Sequence, residues 1–391
     1  MPITPAAVGV SLLLIAGLNA GPARAAEDEA AGDDFIADAR LLYRVAACGP
    51  AKAGAPGEEA AVAVTAALPP AVADQHCKAM RALVAGWRRR WIDKAVPFLA
   101  EIVPAALPPE VVYPFGGGDL FTALATFPRA TVITTLSLEP SGNPTAFAAA
   151  APDVAEHALA VFRDHVRRLS FATHSKTTNL LEFRHEALPD QLAFALLALV
   201  AFDCEPVRLR YFELGSDGGV RYLTREAIAA RKTRQFANME LAFRQRGDAA
   251  APVRVHRHLQ ANLADQPLTR APGVIAHLAS KGRVTAMTKA ASYLLWSPSF
   301  TQIRNYLLGH ADWMISDSTG IPVRFAAGAG FEQQTWGQFT GAFLAAAPEH
   351  QQDFVELWAG QPVRALPFGF GYPDKENHDH LLITRRRLAA P

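Results

Sequence analysis

At 391 residues, half of them hydrophobic and 19% charged, the chain is long and apolar enough to build a large core, which excludes a disordered or low-complexity protein. Its 38 lysines and arginines against 37 acidic residues leave a formal net charge of +1, so no electrostatic field favours nucleic acid. Three cysteines are too few for a disulfide-built scaffold, and without a Cys-x-x-Cys pair they do not read as a zinc site.

The first feature in chain order is the apolar run Ala6 to Leu18, followed by the small-residue pattern Ala23-Arg24-Ala25. Residues 1–25 therefore read as a cleaved export signal, although Met1 to Pro5 carries no Lys or Arg. The run falls short of the ~20 apolar residues of a membrane span, and no later segment reaches that length. The mature chain is thus expected to be exported, periplasmic or extracellular, without a transmembrane segment.

Residues 26–110 read as a helical N-terminal region. Asp33 to Ala47 predicts a short helix and Ala71 to Val103 a longer one, with Leu83, Trp87, Trp91, Phe98 and Ile102 along an uneven apolar face. Cys48 and Cys77 flank an Ala/Gly/Pro-rich linker from Gly49 to Pro70 and could staple it if the chain is exported, a pairing the sequence leaves open. Arg88-Arg89-Arg90, between Trp87 and Trp91, reads as a solvated helix face.

Residues 111–391 alternate strand and helix signals, as an α/β sheet with crossover helices does. Val111 to Tyr113 predicts a short strand, Gly116-Gly117-Gly118-Asp119 a turn, Leu120 to Phe127 a helix, and Thr131 to Leu138 a second strand ending in Glu139. This is the order of parts in a nucleotide-binding βαβ half, with an acid about 20 residues past the glycines to take a ribose hydroxyl. The glycines lack the spaced G-x-G-x-x-G pattern. Val154 to Leu169 and Leu192 to Phe202 predict helices, the second leading to a strand over Val207 to Leu214. Cys204, in that apolar neighbourhood, reads as a buried small hydrophobe. Gly215-Ser216-Asp217-Gly218-Gly219 predicts a hairpin, hence an antiparallel pair late in the sheet.

Val284 to Leu308 is rich in helix formers and aromatics and carries Lys289, Ser292, Tyr293, Arg304 and Asn305. It leads to an apolar strand, Trp313 to Ser316, ending in Asp317 and a glycine turn. Ligands of α/β sheets bind beyond the carboxyl ends of strands, which makes Asp317 a candidate carboxylate; the same residues also make an ordinary capped turn. Lys289, Arg304 and Asp317 form a candidate catalytic set, with Arg304 able to hold an anion bidentately and Asp317 to accept a proton. His378-Asp379-His380 is the best metal candidate, but two histidines do not close a site and no metal site is expected. Hydrolase signatures of the G-x-S-x-G, H-E-x-x-H and S-x-x-K kinds do not occur.

In outline the segment from Tyr113 to Glu139 resembles motif I of class I S-adenosylmethionine-dependent methyltransferases. That resemblance implies a Rossmann-like sheet and a cofactor-binding set of Gly116, Gly118, Asp119 and Glu139, the glycines at the cofactor's amino-acid portion and Glu139 at its ribose. Tyr113-Pro114-Phe115 stands where the family has acidic and small residues. Several motifs together, Tyr113 to Gly117 with Leu138-Glu139-Pro140, Thr288 to Tyr293, Ile303-Arg304-Asn305, Asp317 to Pro322, and Leu366-Pro367-Phe368 with Gly371-Tyr372, are similar to a family of uncharacterised exported bacterial proteins.

The fold expected is α/β, a Rossmann-like, mostly parallel sheet with flanking helices and a small helical N-terminal part. The function expected is an exported protein that binds an unknown small molecule, or an envelope protein, in a cleft bounded by the glycine turn and Asp119, Glu139 and Asp317. The cofactor is left unnamed. The alternatives are a divergent methyltransferase, an acid/base hydrolase using those carboxylates with Lys289 and Arg304, or an envelope interaction protein without a small-molecule site.

Overall fold

The computed structural model describes residues 32–50, 68–168, 187–231, 235–341, 348–372 and 374–387. The expected export signal and most of the Ala/Gly/Pro-rich linker lie outside the described residues. Residues from Ala31 onward form one compact unit.

The N-terminal part contains α1 (Ile36–Val45), α2 (Pro70–Trp87), a five-residue π-helical turn (Arg88–Ile92) and α3 (Asp93–Ile102). Pro70 opens α2 at the first helical position, where its missing N–H has no partner to lose. Cys48, just after α1, is bonded to Cys77 within α2. Asp34 ties α1 to the sheet, its Oδ1 accepting the N–H groups of Ile36 and Leu209 at 2.9 and 3.1 Å. In the arginine run, Arg88 donates to the carbonyl of Ala201, while Arg89 and Arg90 are exposed.

There follow β1 (Glu110–Pro114), α4 (Leu120–Thr126), β2 (Val132–Ser137), α5 (Ala146–Ala149), α6 (Pro152–Arg168) and α7 (Asp190–Ala201). A three-strand excursion comes next, β3 (Cys204–Leu214), β4 (Val220–Tyr222) and, after α8 (Arg225–Ala229), β5 (Asn238–Gln245). The chain continues through β6 (Arg254–Gln260), α9 (Asp265–Arg270), α10 (Gly273–Ala279), β7 (Val284–Thr288), a 3-10 helix (Ala290–Trp296), α11 (Thr301–His310) and β8 (Ala311–Ser316). It closes with α12 (Val323–Gly328), β9 (Phe331–Gly337), α13 (Pro348–Ala359) and β10 (His380–Arg386).

All ten strands join one sheet in the order β4-β3-β5-β6-β2-β1-β7-β8-β10-β9. The five strands from β6 to β8 run parallel, while β5, β3 and β4 at one end and β10 and β9 at the other are joined by antiparallel pairings. The expectation of a mostly parallel sheet is corrected accordingly: the sheet is mixed, parallel in its middle and largely antiparallel at its ends. Short connections account for two of these pairs, the expected glycine hairpin between β3 and β4 and residues 246–253 between β5 and β6, since a parallel crossover needs a dozen or more residues; the pairs β3–β5, β8–β10 and β9–β10 join strands distant in the chain, which local sequence does not direct.

Side chains alternate across the central strands. Val111, Tyr113, Ile133, Met287, Trp313 and Ile315 enter the core beneath α1 to α7, whereas Val112, Leu136, Ala286 and Met314 enter a second core beneath α9, α10, α11 and α12. Burial on both faces explains why these strands read as continuous apolar runs. The segment Val284 to Leu308, expected to be rich in helix, opens instead with β7, whose five residues are all buried between β1 and β8. Beyond β9, the Gln361 amide accepts from Thr335 N–H at 3.1 Å and donates to the Gln333 carbonyl at 2.9 Å, and the Arg364 carbonyl takes the N–H of Gly337 at 2.8 Å.

Candidate functional site

The parallel block changes direction between β1 and β7: β2 and β6 are added on one side of β1, β7 and β8 on the other. Such a switch point leaves a crevice outside the carboxyl ends of the two strands. Here the chain places a buried polar cluster.

Tyr113, near the end of β1, donates its hydroxyl to Asp119 Oδ2 at 2.9 Å. Asp119 caps α4 through Oδ1, which accepts from the backbone N–H and the hydroxyl of Thr122 at 3.2 and 2.6 Å. Lys289, immediately after β7, puts Nζ 3.0 Å from Asp119 Oδ2 and 3.3 Å from Thr122 Oγ1. Both Asp119 and Lys289 are 1% exposed, so the ion pair lies fully inside the protein. The Phe370 ring covers Lys289 with its centroid 5.4 Å from Nζ. Burial, with the carboxylates of Asp119 and Asp317 nearby, pushes the Tyr113 phenol well above its ordinary pKa and keeps it a proton donor.

Between β1 and α4 the glycine turn is held by Gly116 N–H, which reaches the carbonyls of Tyr113 and Leu136 at 3.2 and 3.1 Å. Phe115 adopts φ +61°, a conformation that costs an aromatic residue on the order of 1 kcal/mol or more and tends to occur at functional sites. A Cβ at Gly116 would lie 2.6 Å from the Tyr113 ring, and one at Gly118 would lie 3.3 Å from Gln191 Oε1 and from Phe194. The turn is glycine-built because the protein's own side chains press against it.

Asp317, at the end of β8, is completely buried. Its Oδ1 accepts from Thr319 N–H at 2.8 Å and from the Thr319 hydroxyl, the capped-turn arrangement weighed from the sequence. Its Oδ2 accepts from Tyr372 N–H at 3.0 Å, so the carboxylate also anchors the segment that covers Lys289. Burial and Asp317 raise the Tyr372 phenol to about 12. The same covering segment is held from the other side by Trp91 Nε1, which donates to Gly369 O at 2.7 Å.

Arg304 does not join this cluster. It donates to the carbonyls of Leu295 and Ser297 at 2.7 and 3.1 Å and stacks 4.1 Å above the Phe325 ring, clamping the 3-10 helix to α12. Glu139 is 1% exposed and sits past β2, where its carbonyl accepts from His258 Nε2 at 2.8 Å. Asp119, Lys289 and Asp317 are therefore grouped around the ends of β1, β7 and β8, while Glu139 belongs to the ends of β2 and β6.

Three arrangements escaped the sequence. Thr135 Oγ1 lies 2.9 Å from His256 Nε2 and 3.0 Å from His258 Nδ1, and with His258 Nε2–H on a carbonyl this forms one directed chain of hydrogen bonds. Burial lowers His256 to about 3 and His258 to about 4, leaving both neutral. Ser318 Oγ lies 2.9 Å from His380 Nε2, whose Nδ1 lies 3.1 Å from the His378 carbonyl, and both side chains are fully buried. His378 meets Asp374 at 3.0 Å instead. The two rings of His378-Asp379-His380 thus serve different partners, and among the described residues no three His, Cys, Asp or Glu side chains are grouped to hold a metal.

Beyond β2 and β6 lies an open cavity of about 520 Å³. Leu138, Phe212, Leu259 and Leu268 give it apolar walls, and Asn238, Gln260, Asn262 and Arg270 supply polar groups. Leu138 is 47% exposed there, the residue that directly precedes Glu139. No protein family, curated protein or solved structure matches this chain.

Proposed function

We propose that this is an exported protein that binds a small ligand in the 520 Å³ cavity beyond β2 and β6, on a Rossmann-like sheet. The observation that carries the reading is the cavity's place and make-up. Its volume falls in the ~300–1,000 Å³ range of small-molecule sites, its walls combine Leu and Phe side chains with Asn, Gln and Arg, and it opens beyond the carboxyl ends of parallel strands. Counted along the chain, the parallel strands lie in the order third-second-first-fourth-fifth, that of a doubly wound nucleotide-binding sheet.

A divergent methyltransferase is the second reading, and one observation favours it. The reversed strand β10 is wedged between β8 and β9, as class I methyltransferase sheets also end. Against ordinary methyl transfer stands the switch point, which the buried Asp119–Lys289 pair and the Tyr113 hydroxyl fill with their own contacts. A retained sheet with altered chemistry accounts for both facts.

Export is supported by the apolar run Ala6 to Leu18 and by the Cys48–Cys77 bond, and among the described residues no helix is long and apolar enough to cross a membrane. N-terminal sequencing of the secreted chain should begin at Ala26; an intact Met1 in the secreted or periplasmic fraction would remove the signal.

The binding test is a thermal-shift series with S-adenosylmethionine, adenosine, AMP and envelope metabolites. A ligand at ~100 times its dissociation constant stabilises the fold by ~2.7 kcal/mol. Stabilisation that disappears in Leu138→Trp, which fills the cavity, supports the reading. A shift with S-adenosylmethionine alone favours the second reading, and no shift with any compound refutes both and leaves an envelope interaction protein.

A further inference from the structure

At the opposite end of the sheet, by the amino ends of β1 and β2, lies an apolar groove of about 180 Å³. Its floor is Val96, Leu99 and Val103 of α3 and the residue that follows it, with Leu107, Val111 and Phe127. It is somewhat larger than the ~150 Å³ apolar cavity known to accept benzene.

Two features show what chemistry the groove accepts. First, the side chains of its walls are almost all apolar. Pro104, Pro108, Pro109 and Pro128 contribute ring surface and no N–H. Four of its carbonyls are already used: Thr285 donates to Pro108 O at 2.9 Å, Thr131 N–H to Pro109 O at 2.9 Å, and Arg254 to Ala130 O and Phe127 O at 2.8 and 2.9 Å. Second, Arg129 alone among the lining residues carries a charge, and it is exposed at the rim. Behind the same wall stands the half-buried guanidinium of Arg254, held by the Ala130 and Phe127 carbonyls. An apolar slot with a cation at its mouth, backed by a second cation, is complementary to an aliphatic chain that ends in an anion.

We propose that this groove binds the chain of a medium-length fatty acid, its carboxylate paired with Arg129. The site is independent of the cavity beyond β2 and β6, since the two share no residue.

The test is calorimetric titration of the mature chain with sodium octanoate and with 1-octanol. The parent chain should bind both, octanoate more tightly. Ala100→Trp, on an exposed position of α3 facing the groove, should weaken both by about tenfold or more. Arg129→Glu should weaken octanoate by about tenfold and leave octanol unchanged, because only the head group is affected. Leu138→Trp should change neither. The proposal fails if octanoate gives no saturable heat with the parent chain, if Ala100→Trp binds it as the parent does while keeping its circular dichroism spectrum, or if Arg129→Glu leaves octanoate binding intact.

Discussion

At the scale of single residues the Asp119–Lys289 pair is the most constrained feature. Each charge is out of water and is balanced by the other, 3.0 Å away, with Tyr113 and Thr122 completing the hydrogen bonds. Replacing Lys289 with Met leaves a buried carboxylate uncompensated and should cost ~3–5 kcal/mol in urea unfolding. The double variant Asp119→Asn with Lys289→Met should recover most of that loss; a double variant as unstable as the sum of the two singles would show that the pair is not coupled. Neither residue's pairing was legible in the sequence. Both stood out as candidates, Asp119 by following three glycines and Lys289 by its neighbours, but they are 170 positions apart and nothing local joins them. Arg304 was misplaced for a related reason. Lys289 directly follows a strand and α11, which carries Arg304, begins only at Thr301, so nothing local sets how the two side chains approach.

Buried histidines give the protein a second residue-scale property, a pH response with a defined sign. His256 is lowered to about 3, and His76, His258 and His277 to about 4, in each case chiefly by burial. Their unfolded pKa is near 6.5, so between there and 4 the unfolded chain binds protons that the folded one refuses. Their contribution is complete above pH 6.5 and is lost as pH falls towards 4. Glu240 acts at lower pH. Arg257, Arg210 and Tyr222 outweigh its burial and hold it at about 2, so its contribution is complete above its unfolded value of 4.5 and disappears below that. Urea midpoints at pH 7.5, 5.5 and 4.5 should fall steadily, and His256→Gln should flatten the upper part of the decline; a midpoint constant from pH 7.5 to 4.5 would contradict the assignment of neutral histidines.

Among elements, the helical N-terminal layer depends on the bond between Cys48 and Cys77, which lie 29 positions apart. Cross-linking a loop of that length removes unfolded-state entropy worth ~3–4 kcal/mol in the chain-entropy account. Cys48→Ser with Cys77→Ser should lower stability by about that amount, and an unchanged melting temperature would mean the layer is held by packing alone. This pairing was open to the sequence because the two cysteines flank one linker. The strands were legible unevenly. β1, β2 and β8 are apolar runs ended by recognisable turns, and hairpin glycines marked the junction of β3 and β4. β7 was hidden, since Val-Thr-Ala-Met-Thr has little to set it apart from the helix formers after it; its conformation is fixed by β1 and β8 on either side, and strand preference depends on such neighbours. The position of β10 between β8 and β9 was equally invisible, because pairing order is a property of the finished sheet.

For the whole molecule, the decisive fact is that one apolar core continues from α1 and α2 through α4 and α7 into β1, β2 and β8. The helical N-terminal layer and the sheet therefore share their buried surface. Tryptophan fluorescence and far-ultraviolet circular dichroism should report coincident urea transitions for this unit. Two separated midpoints would show that the N-terminal layer unfolds on its own. The same continuity explains why the α/β class was legible while the sheet's ends were not: alternating apolar patterns define layers, whereas the direction of a terminal strand depends on contacts between distant parts of the chain.

A ten-stranded sheet has two rims, and a strand at a rim offers its unmet backbone groups to any other chain that passes. One rim is β4, only three residues long. The other, β9, is seven residues long and would be the more dangerous of the two, but the single amide of Gln361 and the carbonyl of Arg364 have taken the places that a neighbouring molecule's peptide bonds would seek. One glutamine side chain, with Arg364 beside it, serves as a counterfeit eleventh strand that keeps this rim from pairing with another copy. Gln361→Leu should leave the fold intact and make light scattering grow with concentration more steeply than for the parent chain.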